Sequence, residues 1–343
     1  MNKKTRTTIL RVILFGGTAI SLFFVPWIIV KAWLMPLPGS VQQQVNDAIT
    51  YGFDGMLVYV QQGDQLGQSY TAGWHDRDNK LPARGDALFK IGSINKLYVA
   101  SAITLLISDG KLHNEGTLAE YFPELESRIQ YADQITLANL VGHTSGIPNF
   151  TDTYAYWENP PDTQAEQLAL ILDKPANFKP GDGYEYSNTN YLLLGELIAR
   201  AAGVSQAQFI QQRILAPLNL THTYFSLDEV NMDDLMGGYY VGVEPDIKTN
   251  DYGAMIASAD DLATFVRALN TGELFTPEQQ AIYSSLYVYE HGGLIPGYQT
   301  YTAYYPDIDT VVVQCINTTD FNGYEWNLSQ VFFSRIGKIL HQN

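Results

Sequence analysis

The chain has 343 residues, 46% hydrophobic and 16% charged, enough apolar material to bury a large core in one big domain or two intimate ones. Its formal charge of −16 at pH 7 hides an asymmetry: residues 1–35 hold five basic and no acidic side chains, whereas residues 36–343 hold 15 basic and 36 acidic ones, a charge of −21. A surface that acidic repels phosphate backbones and argues against nucleic acid as a partner.

Val12 to Val30 is a run of 19 residues without a charge, between Arg11 and Lys31. As a helix it is long enough to cross a bilayer core of roughly 30 Å. A cleaved export signal has a shorter apolar region ending on small residues. Ala19 and Ser21 have that spacing, but Phe23 to Val30 continues apolar, so length favours an uncleaved anchor, with Pro26 tolerated or kinking it. The basic cluster ahead of the run places the N-terminus in the cytoplasm and everything after Lys31 outside. Residues 1–35 are thus expected to be a basic tail and transmembrane signal-anchor of a single-pass cell-membrane protein. Residues 36–45, opening with Pro36-Leu-Pro-Gly39, read as a stiff spacer, and 46–343 as a domain on the periplasmic or extracellular side.

Gly55–Gln61 and Gln68–Gly73 read as strands joined around Gly63-Asp64. From Ser93 a helix is expected to about Ser108, apolar nearly all round over Leu97–Ile107 and therefore buried, ending at Asp109-Gly110. Residues 111–250 are loop-rich and helical, with helices suggested over 163–172, 190–202 and 205–215. A helix over 258–269 opens on Ser258 as cap with Asp260-Asp261 in its first turn. Residues 283–289, 298–305 and 310–316 are rich in Tyr, Val and Thr and read as strands, followed by a helix over 326–341. The single cysteine, Cys315, falls in the last of these strands and reads as a buried core thiol. Strands at both ends around a helical middle predict an α+β fold: a central antiparallel sheet built from both termini, flanked by helices, with a largely helical insertion over roughly 111–250.

Three patterns carry chemistry. Ser93 and Lys96 stand i, i+3, on one helical face within contact distance. An alcohol needs an adjacent base, and a lysine is one when burial depresses its pKa. A second Ser-x-x-Lys, Ser108–Lys111, straddles the stop at Gly110 and is set aside. Tyr186-Ser-Asn188 lies in a Gly-rich loop before a helix; Tyr186 can accept and donate a proton, and Asn188 can hydrogen-bond a substrate amide or Lys96. His291-Gly292-Gly293 follows a strand-like run, and glycines there let a substrate backbone approach. His143 and Thr144 read as braces of their loop. His75, His113, His222 and His341 are scattered, so no metal and no cofactor is expected, and the absence of G-x-S-x-G argues against an α/β-hydrolase elbow.

In order, Phe89-Lys-Ile-Gly-Ser-Ile-Asn-Lys96, Ile135 to Gly146 with its His143-Thr-Ser-Gly146, Phe178 through Tyr186-Ser-Asn188 to Gly195, and His291-Gly-Gly-Leu-Ile-Pro-Gly-Tyr298 resemble the serine β-lactamase and penicillin-binding-protein superfamily. The resemblance is to the branch of class C β-lactamases, D-Ala-D-Ala carboxypeptidases, D-aminopeptidases and related esterases. It implies a β-lactamase/DD-peptidase-like fold. It also implies an acyl-enzyme on Ser93, proton shuttling by Lys96 and Tyr186, substrate contacts from Asn188, His291, Gly292 and Gly293, and an oxyanion hole of the Ser93 and Leu294 backbone N–H groups. Leu294 stands where relatives often have a small residue. The third motif is often Lys-Thr-Gly in β-lactamases, and residues 268–334 here contain no Lys or Arg to hold a substrate carboxylate. A peptidoglycan-type D-peptide or small ester is therefore expected ahead of a β-lactam. The alternatives are a class C-like β-lactamase and a non-catalytic, membrane-tethered muropeptide binder.

Overall fold

The structure is a computed structural model and describes residues 3–342; Met1 and Asn2, at the start of the expected tail, and Asn343, at the end of the expected domain, lie outside the described residues. The chain opens with α1 (Lys3–Ser21), a short 3-10 turn over Leu22–Phe24, and α2 (Trp27–Leu34). The apolar run over 12–30 is therefore broken rather than continuous. Pro26 has no N–H to donate, Val25 before it is extended (φ −73°, ψ 129°), and the stretch with spanning length and hydropathy is Lys4–Phe24.

The segment over 36–45 is packed. Ser40 caps α3 (Val41–Ile49) by accepting from the Gln43 N–H, and Val41, Val45 and Ala48 are buried. Then come β1 (Gly55–Gln62), β2 (Gln68–Asp76) and the short β3 (Leu81–Pro82). After β4 (Leu88–Lys90) the long α4 (Asn95–Ser108) begins. The helical middle holds α5 (Leu118–Tyr121), α6 (Leu137–Val141), α7 (Gln164–Ala169), α8 (Asn188–Ala202) and α9 (Gln206–Ile210), with the two-residue strands β5 (Thr223–Tyr224) and β6 (Tyr239–Tyr240). The chain returns through β7 (Ile256–Ser258), α10 (Ala259–Thr271), α11 (Pro277–Leu286), β8 (His291–Ile295), β9 (Tyr298–Tyr305), β10 (Thr310–Ile316), β11 (Thr318–Thr319) and α12 (Glu325–Leu340).

Six strands form one antiparallel sheet in the order β3-β2-β1-β10-β9-β8, so its two halves come from opposite ends of the chain and join where Met56 faces Ile316 and Gln62 faces Thr310. Alternation sorts the central strands between two layers. Leu57, Tyr59, Val311, Val313 and Cys315 point into the core shared with α4, α8 and α10. Met56, Val58, Val60, Val312 and Ile316 point into a second core with α3 and α12. The fold is α+β, as expected. Cys315 is buried, and burial pushes its thiol pKa up, away from reactivity.

One expected strand is not one. Most of residues 283–289 lie in α11 and its exit: Thr276 and Gln279 form a capping box, Pro277 sits at the first helical position, and Tyr283 and Leu286, one turn apart, are buried. Strand propensity in Tyr and Val loses here to capping upstream and to one apolar stripe.

Candidate active site

Ser93 lies in a single 3-10 turn, Gly92–Ile94, that runs directly into α4. The helix is apolar on every side because it is buried on every side, and that carries Lys96 inside with it, 3% exposed. Lys96 Nζ donates to Ser93 Oγ at 3.2 Å and to Asn188 Oδ1 at 2.8 Å. It sits 4.8 Å from the ring centre of Tyr186 and 5.2 Å from that of Tyr191. Burial, with no carboxylate to offset it, pulls its pKa down to about 7.

Asn188 opens α8 and is fixed from three directions. Its N–H donates to Asn149 Oδ1 at 3.0 Å, its Nδ2 to Thr151 Oγ1 at 3.1 Å, and its Oδ1 accepts the hydrogen bond from Lys96. Tyr186 is carried by the loop before it. The phenol is buried beside Ser93, and burial raises its pKa, so it is a neutral hydroxyl at physiological pH. Its ring packs 4.4 Å from that of His143. His143, with φ 57°, is turned inward, and its Nδ1 accepts the Ser187 N–H at 3.1 Å. Burial first, then the nearby Lys96 and His291, lowers its pKa to about 3. The brace expected of His143 is thus to the Tyr186 loop, and Thr144 takes its hydrogen bond from Asn139 Nδ2 at 2.9 Å.

β8 is the edge strand alongside Ser93. The space beside its glycines is filled by the protein: a Cβ at Gly293 would collide with the Ile91 carbonyl oxygen, and one at Gly292 would come within 2.8 Å of the Tyr301 ring and 2.9 Å of Trp326. Gly92, at φ +52°, would likewise bring a Cβ to 3.0 Å from the Leu294 nitrogen. Gly92 and Gly293 therefore let the serine turn pack directly on β8, with the Leu294 amide against Gly92 and the Ser93 amide against Gly293. The glycines thus serve this internal approach, and β8 is the terminal strand of its sheet, half-buried to buried along its length.

His291 is held in a chain of hydrogen bonds, Nε2 to the Tyr287 hydroxyl at 2.9 Å and Nδ1 to the Gly292 carbonyl at 2.5 Å. Burial is the main cause that lowers its pKa to about 4; the carbonyl contact opposes this and Lys96 adds to it. Its Nδ1–H donates to the carbonyl, and its Nε2 accepts from Tyr287. It is neutral near pH 7, so Lys96 is the one cation at this site. Among the described residues no group of three His, Cys, Asp or Glu is close enough to hold a metal.

Ser93, Lys96, Tyr186, Asn188 and the β8 motif, scattered over two hundred residues, come together at one site. Thr151 and Asn149, which orient Asn188, and Tyr287 and Tyr191, which wall the site, left no signal in the sequence beyond belonging to polar or aromatic stretches. Gly92 did leave one, a glycine immediately before a nucleophile candidate.

A family model described as Beta-lactamase matches residues 40–288, a stretch that holds Ser93, Lys96, Tyr186 and Asn188 and ends before His291. Protein flp of Staphylococcus aureus is 25% identical over 245 residues, 67% of this chain and 49% of that protein. Penicillin-binding protein 4* of Bacillus subtilis is 28% identical over 175 residues, 50% and 38% of the two chains. The chain spans about half the length, or less, of these relatives. Among solved structures, D-amino acid amidase from Ochrobactrum anthropi SV3 superposes with a TM-score of 0.78 at 21% identity, covering 88% of this chain and 98% of that one. A penicillin-binding protein from Bacillus halodurans gives 0.71 at 20%, covering 86% and 98%.

Proposed function

The chain belongs to the Beta-lactamase family, within the serine β-lactamase and penicillin-binding-protein superfamily, and from that premise we propose that it is a serine hydrolase working through an acyl-enzyme on Ser93. The observation that carries the reading is Lys96 Nζ, buried without a carboxylate and 3.2 Å from Ser93 Oγ. A lysine with pKa about 7 is neutral half the time at neutral pH, which is what a general base requires. Ser93 Oγ bonds to the substrate carbonyl carbon as its proton passes to Lys96. The amides of Ser93 and Leu294 hold the oxyanion, each worth about 3–4 kcal/mol in comparable sites. The neutral Tyr186 phenol gives its proton to the leaving amine or alcohol and is reprotonated from Lys96. Water then attacks the ester with the same groups acting in reverse.

The substrate we assign is a D-configured peptide, amide or ester, with a D-Ala-D-Ala type stem peptide as the first choice. The D-amino acid amidase and penicillin-binding neighbours support that class by their names. The choice of D-Ala-D-Ala rests on those names alone: with His291 neutral, the site offers no fixed cation beyond Lys96 for a substrate carboxylate, whether of a β-lactam or of a D-Ala-D-Ala terminus, and so by itself favours an amide or ester without one. The hydrolase domain is assigned to residues 46–343 together with the start of α3 from Val41, which packs in its second core, with a helical insertion at roughly 111–250, and is held on the outer side of the cell membrane by the apolar Lys4–Phe24 helix.

The test is a panel of a D-Ala-D-Ala tripeptide, a D-amino acid amide, p-nitrophenyl butyrate and nitrocefin against wild type and Ser93→Ala, with intact-protein mass spectrometry for an adduct. Turnover of amide or ester with an adduct on Ser93 is expected. Fast nitrocefin turnover alone would reverse the substrate ranking, and full activity in Ser93→Ala would end the reading.

A further inference from the structure

Away from Ser93, two cavities of about 610 and 410 Å³ open along the outer side of α12. Gln330, Ser334 and Lys338 line both, as does Leu37. The three α12 residues are four apart and form one stripe of the helix, so the cavities are two halves of a single groove. One half is walled by the outer face of β9 at Tyr301 and Tyr305. The other is walled by α2 and its exit at Ile29, Trp33 and Met35. Each half falls in the range of about 300–1,000 Å³ typical of small-ligand sites.

The position of α2 says what the groove faces. Its Ala32 is buried and its Ile29 packs on the second core, while Trp27, Trp33 and Leu34 are exposed, Trp33 to 66%. This helix follows directly on the apolar Lys4–Phe24 stretch, none of which is covered by the domain. Tryptophans just beyond an apolar span are the usual residents of the membrane–water interface. The docking of α2 is fixed by Arg335, 5% exposed, whose guanidinium donates to the carbonyls of Met35 and Pro36, each at 2.7 Å, and to Gln44 Oε1 at 2.6 Å. The exposed tryptophans of α2 and the groove mouth therefore share one face of the domain, and the apolar helix leads into it through Val25 and Pro26. Lys338 and Glu290 both line the groove and offset one another, so what the groove offers a lipid is its apolar wall of Leu37, Ala303, Phe333, Ile29 and Val331.

We propose that this face is a lipid-binding surface, on which α2 lies in the bilayer interface and the groove along α12 takes an acyl chain of a membrane phospholipid. The inference rests on the membrane-anchored reading above. Its test uses the full chain in nanodiscs of phosphatidylglycerol carrying a diazirine on the acyl chain, with photolabelled peptides mapped by mass spectrometry. Adducts are expected on residues 330–338 as well as within Lys4–Phe24. Ser334→Trp, which fills the groove, is expected to lower the α12 adducts at least fivefold and leave those on Lys4–Phe24 unchanged, whereas Ser334→Ala keeps both. A thermal melt of each variant checks folding. Adducts confined to Lys4–Phe24, or α12 adducts indifferent to Ser334→Trp in a folded protein, overturn the groove and leave the anchor standing. No adduct on Lys4–Phe24 overturns the anchor and the groove with it.

Discussion

Each face of the central sheet buries a cation, and the two are treated in opposite ways. On the α3–α12 side, Arg335 meets three oxygens at 2.6–2.7 Å. On the α4–α8 side, Lys96 meets one amide oxygen at 2.8 Å and one hydroxyl at 3.2 Å, and no carboxylate. A guanidinium cannot lose its proton in a protein, so burying one obliges the fold to satisfy it, and the result is a fastening. An ammonium can lose its proton, so burying one with too few partners lowers its pKa, and the result is a base. Lys90 shows that the count of oxygens alone does not decide the outcome: it is 2% exposed and donates to one carbonyl, yet Asp251 and Asp246 oppose the effect of burial and its pKa falls only to about 8. A buried ammonium with no carboxylate near it, as at Lys96, is what yields a base in this molecule.

The sharpest way to break that contrast is to replace each cation with methionine. Lys96→Met removes a base and a desolvated charge together. We expect kcat/KM on the best amide or ester to fall by about 10²–10⁴-fold, while the melting temperature holds or rises, because an apolar isostere no longer has a charge to keep dry. A variant that loses stability but keeps its rate would show Lys96 to be the fastening. A second reading of the same contrast is the pH dependence of wild type. If neutral Lys96 is the base, kcat/KM rises about tenfold per unit as pH climbs towards about 7 and levels above it. His143 and His291, with pKa values of about 3 and 4, add no limb between pH 5 and 9. A limb that disappears in His143→Gln or His291→Gln while Lys96 is intact would assign the step to a histidine instead.

How much of this was legible depends on how locally each feature is written. The all-round apolarity of Leu97–Ile107 announced a buried helix, and the turn at Gly63-Asp64 after Gly55–Gln61 and the Val- and Thr-rich run Thr310–Ile316 announced the two strands at the centre of the sheet. Ser93 and Lys96 were legible because one helical turn joins them. What escaped is made of contacts between distant residues that leave no periodic trace: Thr151 reaching Asn188 across 37 positions, Gly92 against β8, and Arg335 closing on Met35 across 300. The glycines of β8 were seen, but their use was not, because only the folded chain shows the Ile91 carbonyl occupying the place of a side chain. The neutral state of His291 likewise depends on burial that no motif encodes.

Arg335→Met is the counterpart of the lysine substitution and is expected to act on stability. It leaves the carbonyls of Met35 and Pro36 and the Gln44 amide short of a donor, at about 1–3 kcal/mol for a group that stays buried. It also frees the segment 27–40 from α12. A melting temperature lower by several degrees and faster limited proteolysis between α2 and α3 are the expected readouts. An unchanged melt would mean that water replaces the guanidinium at no cost, and Arg335 would then hold nothing.

The last expected effect is absent at neutral pH and builds only on the acid side, where the two faces again part. Burial keeps His143 and His291 below the 6.5 of a free imidazole, at about 3 and about 4. Between those values and 6.5 the unfolded chain binds protons that the folded chain refuses. Stability is therefore whole above 6.5 and falls as pH drops below it, by at most about 1.4 kcal/mol per unit for each histidine. His341, on the outer face, moves the other way: its pKa is raised, first by the Gly337 carbonyl it contacts, so protonation in acid favours the fold, although its exposure keeps that contribution small. Melts of wild type and of His143→Gln/His291→Gln from pH 7.5 to 4.5 separate the two. The double variant begins less stable, and the gap to wild type is expected to close as the pH falls, because the variant has no proton to refuse. Parallel curves would mean that the histidines are protonated in the folded cleft, and the neutral chain from Tyr287 through His291 to the Gly292 carbonyl would have to be redrawn as a charged one, with a second cation then available beside Lys96 for a substrate carboxylate.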